Sequence, residues 1–298
     1  MKLQKVLILH KKSTFQIQAV EHKESRFLKL LEEGSEVVTR VKVAHAEHMD
    51  TLEHLEAELK ERGIEYKSVA RAELTHRVTD VDLLISVGGD GTFLDASHFL
   101  TSVPLLGVNS SSSSSFGHFC LGNDDNIGTV LDGIQSGELQ PRKLLRLELM
   151  VNGSTLPELV LNEVLVTHSN PAATSRYFLE TNNVREEQRS SGIWIGTPAG
   201  STGSLRSAGC PVMDITAQQY QYIVREPCIR PGEKWQLLRG VLSADSETQV
   251  VSQMRTGRLY IDGQHIDYDF GLGDELIIRP SKIHLNAFID DHVNEIFK

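Results

Sequence analysis

Apolar positions fall into two textures along the chain. Up to about residue 137, short apolar runs alternate with stretches of helical period. Residues 6–9 (VLIL) predict a buried strand. Residues 44–62 predict an amphipathic helix, with Leu52, Leu55 and Leu59 on one face, charges opposite and Gly63 at its end. Residues 64–69 alternate as a strand does. Residues 81–87 (VDLLISV) predict a second buried strand, followed by glycines and then a helix near residues 93–100. Residues 104–109 are a further short buried run. Strands and helices in alternation predict parallel strands in an open α/β sheet.

Beyond residue 137 the helical period fades, and strand-like segments follow one another with turn dipeptides between them. Residues 144–151 precede Asn152-Gly153, and residues 258–261 precede Asp262-Gly263 with residues 265–268 after it. Both are hairpin signals, because these dipeptides adopt the positive φ that tight hairpin turns require. Residues 276–278 predict another strand. The fold class expected is therefore an α/β N-terminal domain with a parallel sheet, plus a β-rich C-terminal domain. The expected divisions are residues 1–138, residues 139–280, and a closing segment 281–298 that packs back on the first domain. No internal repeat is visible.

Composition narrows the function. The chain has 298 residues, 40% of them hydrophobic, enough for a sizeable core or for two modest ones. A net charge of −10 repels a phosphate-rich polymer, which argues against nucleic acid as a partner. One anionic dinucleotide is a different case, since local amides and a cation or two can hold it. Cys120, Cys210 and Cys228 are odd in number and far apart, and they suit neither a disulfide framework nor a zinc site. Such cysteine usage fits a reducing compartment. No apolar run reaches the length of a membrane span. The expectation is a soluble cytoplasmic protein with no membrane partner, although a mature organellar form reads the same way.

Three segments carry candidate chemistry. Gly88-Gly89-Asp90-Gly91-Thr92 lies between a predicted strand and a predicted helix, where glycines let the backbone approach a ligand and amides point at an anion. Asp90 suits contact with Mg2+ or acceptance of a proton from an attacking hydroxyl. The plainer reading is a tight turn with Asp90 or Thr92 capping the helix. No lysine follows the glycines, so this is not a Walker A loop. The second segment, residues 196–209 (GTPAGSTGSLRSAG), can line a polar cleft with small hydroxyl residues; Ser201 or Thr202 is a candidate cap for a following helix. The third is Asn162-Glu163 inside an apolar run, where alternation turns one of the two inward and a buried polar group needs partners. A strand end at the surface is the alternative.

The rest carries less. Ser110 to Ser115 form an unbroken serine run, expected to be a mobile loop that contributes nothing to a core. It is either a linker or a loop over an active site. His45 and His48 stand three apart on the predicted helix with no third ligand, and are expected to be solvated; no protein metal site is expected.

Together these segments resemble the NAD kinase family. Its members share Gly-Gly-Asp-Gly-Thr after a strand, an Asn-Glu or Asn-Asp pair mid-chain, and Thr-Pro-x-Gly-Ser-Thr running on to Ser-Ala-Gly-Gly. Here these are Gly88 to Thr92, Asn162-Glu163, and Thr197 to Thr202 with Ser207-Ala208-Gly209. The order and spacing match over nearly the whole chain. Gly-Gly-Asp-Gly-Thr alone is less specific, since related lipid kinases resemble it. The plant NADH kinase and mitochondrial NAD kinase branch is most similar. Its carriers are Gly107-Val108-Asn109-Ser110, Pro171-Ala172-Ala173 with Ser175-Arg176, Arg189-Ser190-Ser191-Gly192, Val224-Arg225-Glu226-Pro227 and Ile261-Asp262-Gly263.

The resemblance implies an ATP-dependent kinase acting on the 2′-hydroxyl of NAD+ or NADH, with nucleotides in a cleft between the two domains. It implies Asp90 as catalytic base, with Gly91 beside the dinucleotide. ATP is implied along Gly88, Gly89, Gly91, Thr92 and the Asn109 loop, with Mg2+ or another divalent cation bridging phosphates. Dinucleotide contacts are implied for Asn162, Glu163, Arg189, Ser191, Thr202, Gly203, Ser204, Ser207 and Gln264. A homodimer or homotetramer is implied. Three departures stand out: common bacterial members carry Asp at Ser191, they carry Ala-Tyr at Gly203-Ser204, and the plant branch has a longer loop after Asn109. The rival readings are a lipid or other small-molecule kinase of the wider superfamily and a dinucleotide sensor without catalysis.

Overall fold

The structure is a computed structural model that describes residues 2–113 and 115–297. It divides into two compact units: residues 1–142 with 286–290, and residues 143–285 with 291–298.

In chain order the first unit contains β1 (Lys5–His10), α1 (Ser25–Glu32), α2 (Glu36–Glu61), β2 (Glu65–Ala70), β3 (Leu83–Gly88), α3 (Asp90–Ser97), β4 (Leu105–Asn109), β5 (Cys120–Asn123) and α4 (Ile127–Ser136); β6 (Arg142–Leu144) begins at its boundary. The sheet order is β2-β1-β3-β4, and β5 also pairs with β4, every one of these pairs parallel. The strand β19 (Leu285–Phe288) returns from the far end of the chain to run parallel beside β4. β1, β3 and β4 are buried nearly throughout, which is why they read as apolar runs rather than alternating ones. Leu52, Leu55 and Leu59 of α2 join the core formed by β1, β3 and β4.

The second unit contains β7 (Leu147–Val151), β8 (Ser154–Val160), β9 (Glu163–His168), β10 (Ser175–Thr181), β11 (Val184–Ser190), β12 (Ile193–Gly196), α5 (Ser204–Ser207), β13 (Gln219–Val224), β14 (Arg239–Ser243), β15 (Thr248–Ser252), β16 (Gly257–Ile261), β17 (Ile266–Phe270) and β18 (Glu275–Pro280). They form two sheets, β11-β10-β15-β18-β7-β8 and β14-β13-β12-β9-β16-β17. One buried cluster joins residues from both, including Leu149, Tyr177 and Ile278 of the first and Val164, Ile195 and Leu259 of the second. Asn152 and Gly153 turn the β7–β8 hairpin with φ of 50° and 79°, and Asp262 and Gly263 turn β16–β17 with φ of 49° and 117°.

Several expectations need correction. α2 starts at Glu36, well before residue 44; its first turns (EVVTRVKV) carry β-branched and charged residues that obscure the period. α3 starts at Asp90, so the glycine motif is itself the first turn of the helix. No side chain caps α3, which removes the capping reading of Asp90 and Thr92. Neither Ser201 nor Thr202 caps α5: Gly203 holds that position, and Ser201 Oγ donates to the Pro198 carbonyl instead. The serine run does enter a core, since Ser110 and Ser111 are 1% and 2% exposed. His48 is not solvated; it is 1% exposed, and its Nδ1 lies 2.8 Å from Ser110 Oγ. Ser114 lies outside the described residues. Among the described residues no helix is long and apolar enough to cross a membrane.

Candidate functional site

In the first unit, the chemistry gathers at the carboxyl ends of the parallel strands, where open α/β sheets bind ligands. β3 ends at Gly88, and Gly89 is extended (φ −125°, ψ −164°) before α3 begins. A Cβ on Gly88 would collide with Thr92 Oγ1 and Cβ, so this glycine is needed for close packing, whereas one on Gly89 would crowd only the rotatable Ser115 hydroxyl, at 2.6 Å. A Cβ on Gly91 would meet nothing within 4 Å. The amides of Asp90 and Gly91 have no hydrogen-bond partner among the described residues, as the first turn of a helix leaves them. Asp90 Oδ1 accepts from the Phe119 amide at 2.9 Å, while Oδ2 has no partner among the described residues.

Gly89, Asp90, Gly91 and Thr92, but not Gly88, line a recess of about 480 Å3 together with Lys11, Lys12, Ile17, Arg71 and Ser115. Lys12 pairs with Glu21 at 2.8 Å and Arg71 with Asp95 at 2.5 Å. Asn109 is turned elsewhere: its Nδ2 donates to the Ser115 carbonyl at 3.0 Å, and its Oδ1 accepts from the Ser111 amide at 3.3 Å. It closes the serine loop rather than lining the recess. Glu47 of α2 accepts from Ser111 Oγ at 2.6 Å and Ser113 Oγ at 2.8 Å, fixing the loop from outside. Lys11 escaped the sequence reading. The signal available was a lysine pair directly after a buried strand of a parallel sheet.

In the second unit, three segments distant in sequence meet. Gly196 pairs with Glu163 across β12 and β9. The Thr197 amide donates to the Asn162 carbonyl at 2.9 Å, and Thr197 Oγ1 donates to the Leu161 carbonyl. A Cβ on Gly200 would collide with the Asn162 carbonyl, so residues 196–200 lie against Asn162 backbone to backbone. Asp262 completes the corner. Its carboxylate accepts from the amides of Leu161 at 2.8 Å, Asn162 at 2.7 Å and Glu163 at 3.1 Å. Asn162 Oδ1 and Glu163 Oε2 are buried with no hydrogen-bond partner among the described residues. Buried polar oxygens left open in this way are costly unless a ligand completes them.

Burial raises both carboxyls. It pushes Glu163 up to about 8, and the neighbouring Asp262 adds to the shift. Burial also raises Asp262, to about 7, with its three amide donors pulling the other way. Glu163 is therefore the more readily protonated of the two near neutrality.

The remaining candidates are spread around this corner and beyond it. Gln264 is exposed in the Asp262 hairpin turn. Thr202 and Ser204 are half-buried, Gly203 and Ser207 exposed, and Ser207 Oγ donates to the Gly203 carbonyl at 3.3 Å. Arg189 on β11 is engaged with both carboxylate oxygens of Glu233, at 2.7 and 2.6 Å, with Trp235 beneath its guanidinium at 5.8 Å. Ser191 lines a separate recess of about 360 Å3 with Thr167, His168, Arg225 and Tyr260. Its amide donates to the Arg225 carbonyl at 3.0 Å, and its own carbonyl accepts from Thr167 Oγ1 at 3.1 Å. Among the described residues, no group of three or more His, Cys, Asp or Glu side chains is arranged to hold a metal ion.

Comparison with known proteins bears on the fold and the family. The crystal structure of an NAD kinase from Archaeoglobus fulgidus in complex with ATP is 21% identical, with a TM-score of 0.69 over 98% of this chain and 96% of that one. Yeast NADH kinase complexed with NADH is 15% identical, with a TM-score of 0.69 over 100% of this chain and 86% of that one. Both share the fold. Residues 6–139 match the family model for the ATP-NAD kinase N-terminal domain. A probable NADH kinase from Oryza sativa subsp. japonica is 38% identical over 268 residues, 83% of this chain and 82% of that protein. The NADH kinase of Arabidopsis thaliana is 35% identical over 272 residues, 84% and 86% of the two chains. On the strength of these relatives, the chain belongs to the NAD kinase family.

Proposed function

We propose that this protein is an ATP-dependent NAD(H) kinase, transferring the γ-phosphoryl group of ATP to the 2′-hydroxyl of the adenosine ribose to give NADP(H). The observation that carries the reading is the Asp90 carboxylate, anchored through one oxygen by the Phe119 amide and open at the other, on the first turn of α3 in a polar recess. Family membership, with plant NADH kinases among the relatives, supports the same activity.

Phosphoryl transfer asks mainly for positioning and charge stabilisation. In this reading the unsatisfied amides of Asp90 and Gly91 face donor phosphate, and Mg2+ or another divalent cation enters as part of the donor. The 2′-oxygen attacks the γ-phosphorus, the bond from that phosphorus to the β–γ bridging oxygen breaks, and ADP leaves. Asp90 Oδ2 orients the hydroxyl and takes its proton late in the transfer. Asn162 and protonated Glu163 hold the dinucleotide, through the open oxygen of the first and the acidic proton of the second. Thr202, Gly203, Ser204, Ser207, Arg189, Ser191 and Gln264 belong to the same proposed binding set. For Arg189 this requires sharing or exchanging its bonds to Glu233. A homodimer or homotetramer in the cytoplasm completes the proposal.

The test is direct. Purified protein is incubated with ATP, Mg2+ and either NADH or NAD+, and the 2′-phosphorylated product is quantified. Formation of NADPH or NADP+ is expected; ADP release with no phosphorylated dinucleotide from either acceptor would overturn the reading.

A further inference from the structure

We infer that the Lys11 ammonium holds phosphate oxygens of the triphosphate donor, and so governs donor affinity separately from dinucleotide affinity. The inference rests on the kinase reading and deepens it.

Lys11 follows the last residue of β1, and its amide donates to the Val87 carbonyl of the neighbouring β3 at 3.3 Å. That bond places it beside the strand that ends at Gly88. It lines the same recess as Gly89, Asp90, Gly91 and Thr92. Three cations line this recess, and their circumstances differ. Lys12 is neutralised by Glu21 and Arg71 by Asp95. Lys11 is half-buried, and its ammonium has no ion pair or side-chain hydrogen bond among the described residues.

A cation withdrawn from water without a partner is unfavourable. Burial accordingly lowers the Lys11 pKa. The protein relieves the problem only in part, by keeping its neighbour neutral: burial and the Lys11 charge push His48 down to about 4, so His48 adds no second positive charge. What the Lys11 ammonium lacks, among the described residues, is an anion bonded to it. A phosphate oxygen supplies one and restores the bonds that burial removed. The three donors of an ammonium suit a point contact to phosphate. Asp90 in the same recess does not serve, since its Oδ1 is bound by the Phe119 amide and Lys11 makes no bond to either oxygen.

Lys11 also borders a second recess of about 280 Å3, which it and Lys12 share with Arg40. Arg40 is absent from the lining of the Asp90 recess, so it serves as a control for charge alone.

The test is calorimetric titration of wild type, Lys11→Met, Lys11→Arg and Arg40→Met. Each is titrated with Mg2+ and the non-hydrolysable analogue AMP-PNP, with AMP, and with NADH. Lys11→Met keeps the aliphatic stem and removes the charge. It is expected to weaken AMP-PNP binding by about 10- to 100-fold, the loss of one charge-assisted contact, with AMP and NADH changed by less than about twofold. Lys11→Arg should recover most of the AMP-PNP affinity, and Arg40→Met should lose little. Unchanged AMP-PNP affinity in a folded Lys11→Met overturns the inference. Equal weakening of NADH overturns it too, and assigns Lys11 to the dinucleotide pyrophosphate. Arg40→Met as damaging as Lys11→Met overturns it in favour of net charge. Turnover of wild type is measured in parallel. Lys11-dependent AMP-PNP binding without turnover of either dinucleotide would sink the acceptor assignment and leave the donor contact standing.

Discussion

The Phe119 amide donates to Asp90 Oδ1 at 2.9 Å, fixing the carboxylate of the glycine motif by a residue 29 positions later in the chain. Asparagine offers the same acceptor. Asp90→Asn should therefore fold and bind NADH as wild type does, yet lose about 10²- to 10⁴-fold in kcat, the usual contribution of a general base. Steady-state kinetics beside a thermal melt decides the matter. More than about a tenth of wild-type activity in the folded variant would remove Asp90 from the proton transfer.

Gly91 separates a structural glycine from a functional one. An added Cβ meets nothing within 4 Å, and the residue sits in the first turn of α3. Gly91→Ala should thus leave stability unchanged or raise it by up to about 1 kcal/mol. The methyl group would project into the recess, so kcat/KM should fall about tenfold or more, a barrier increase of ~1.4 kcal/mol. A variant that is stabilised and fully active would show that substrate does not approach Gly91.

Glu163 predicts a pH dependence with a definite sign. Its folded pKa, pushed to about 8 chiefly by burial, lies above the ordinary glutamate value of 4.5. The folded state then binds more protons than the unfolded state between those values. Its contribution is fully present below pH 4.5 and is lost as pH rises through about 8. Ligand-free protein should lose stability across this window relative to Glu163→Gln, with a slope of at most about 1.4 kcal/mol per pH unit. Paired denaturant titrations from pH 5 to 8.5 measure it, and a constant difference would contradict the assignment. In kinetics, Glu163→Ala should raise the KM for the dinucleotide more than that for ATP. Equal rises would mark a folding role.

Ser191 adds no charge to a recess whose Arg225 and Glu226 are paired at 3.8 Å. Trp194 lies beneath the Arg225 guanidinium at 5.5 Å. If the nicotinamide ring lies here, its oxidised, positive form gains no net attraction from this pair, and NADH should be used at least as well as NAD+. Ser191→Asp should shift the kcat/KM ratio toward NAD+, and Ser191→Asp with Arg225→Met should shift it further, by about tenfold or more. Coulomb attraction at 4 Å, worth roughly 1–4 kcal/mol, covers a change of that size. A ratio unmoved in both variants, each still active, would take redox preference away from this position.

Removing divalent cations with EDTA should abolish turnover and leave NADH affinity within about twofold, because charge neutralisation by the metal belongs to the donor triphosphate. Loss of NADH binding on chelation would place the cation at the dinucleotide instead.

How much of this was legible in the sequence depended on whether local pattern or tertiary contact decided the matter. β1, β3 and β4 were readable because burial on both faces writes continuous apolar runs. The Asn152-Gly153 and Asp262-Gly263 turns were readable because positive φ selects those residues. The start of α2 was not, since its first turns scatter four valines among charged residues and only Val38 among them is buried. Lys11 was not, because its importance lies in what its neighbours do: Glu21 and Asp95 engage the other two cations. The role of Asp262 was equally hidden. Its residue type fits a hairpin turn, and nothing local reveals that its carboxylate gathers three amides from residues 161–163, about 100 positions earlier.

The serine run carries a different lesson. Six identical letters suggest interchangeable positions, yet Ser110 meets His48, while Ser111 and Ser113 share Glu47. Ser110, Ser111 and Ser113 are distinguished by address, counted from the end of β4 and checked by the Asn109 side chain that reaches both Ser111 and Ser115. Such a segment tolerates drift in spelling better than drift in length. One more serine would leave the composition almost untouched and slide the Ser110, Ser111 and Ser113 hydroxyls past their partners, whereas a threonine at a single position would keep the count intact.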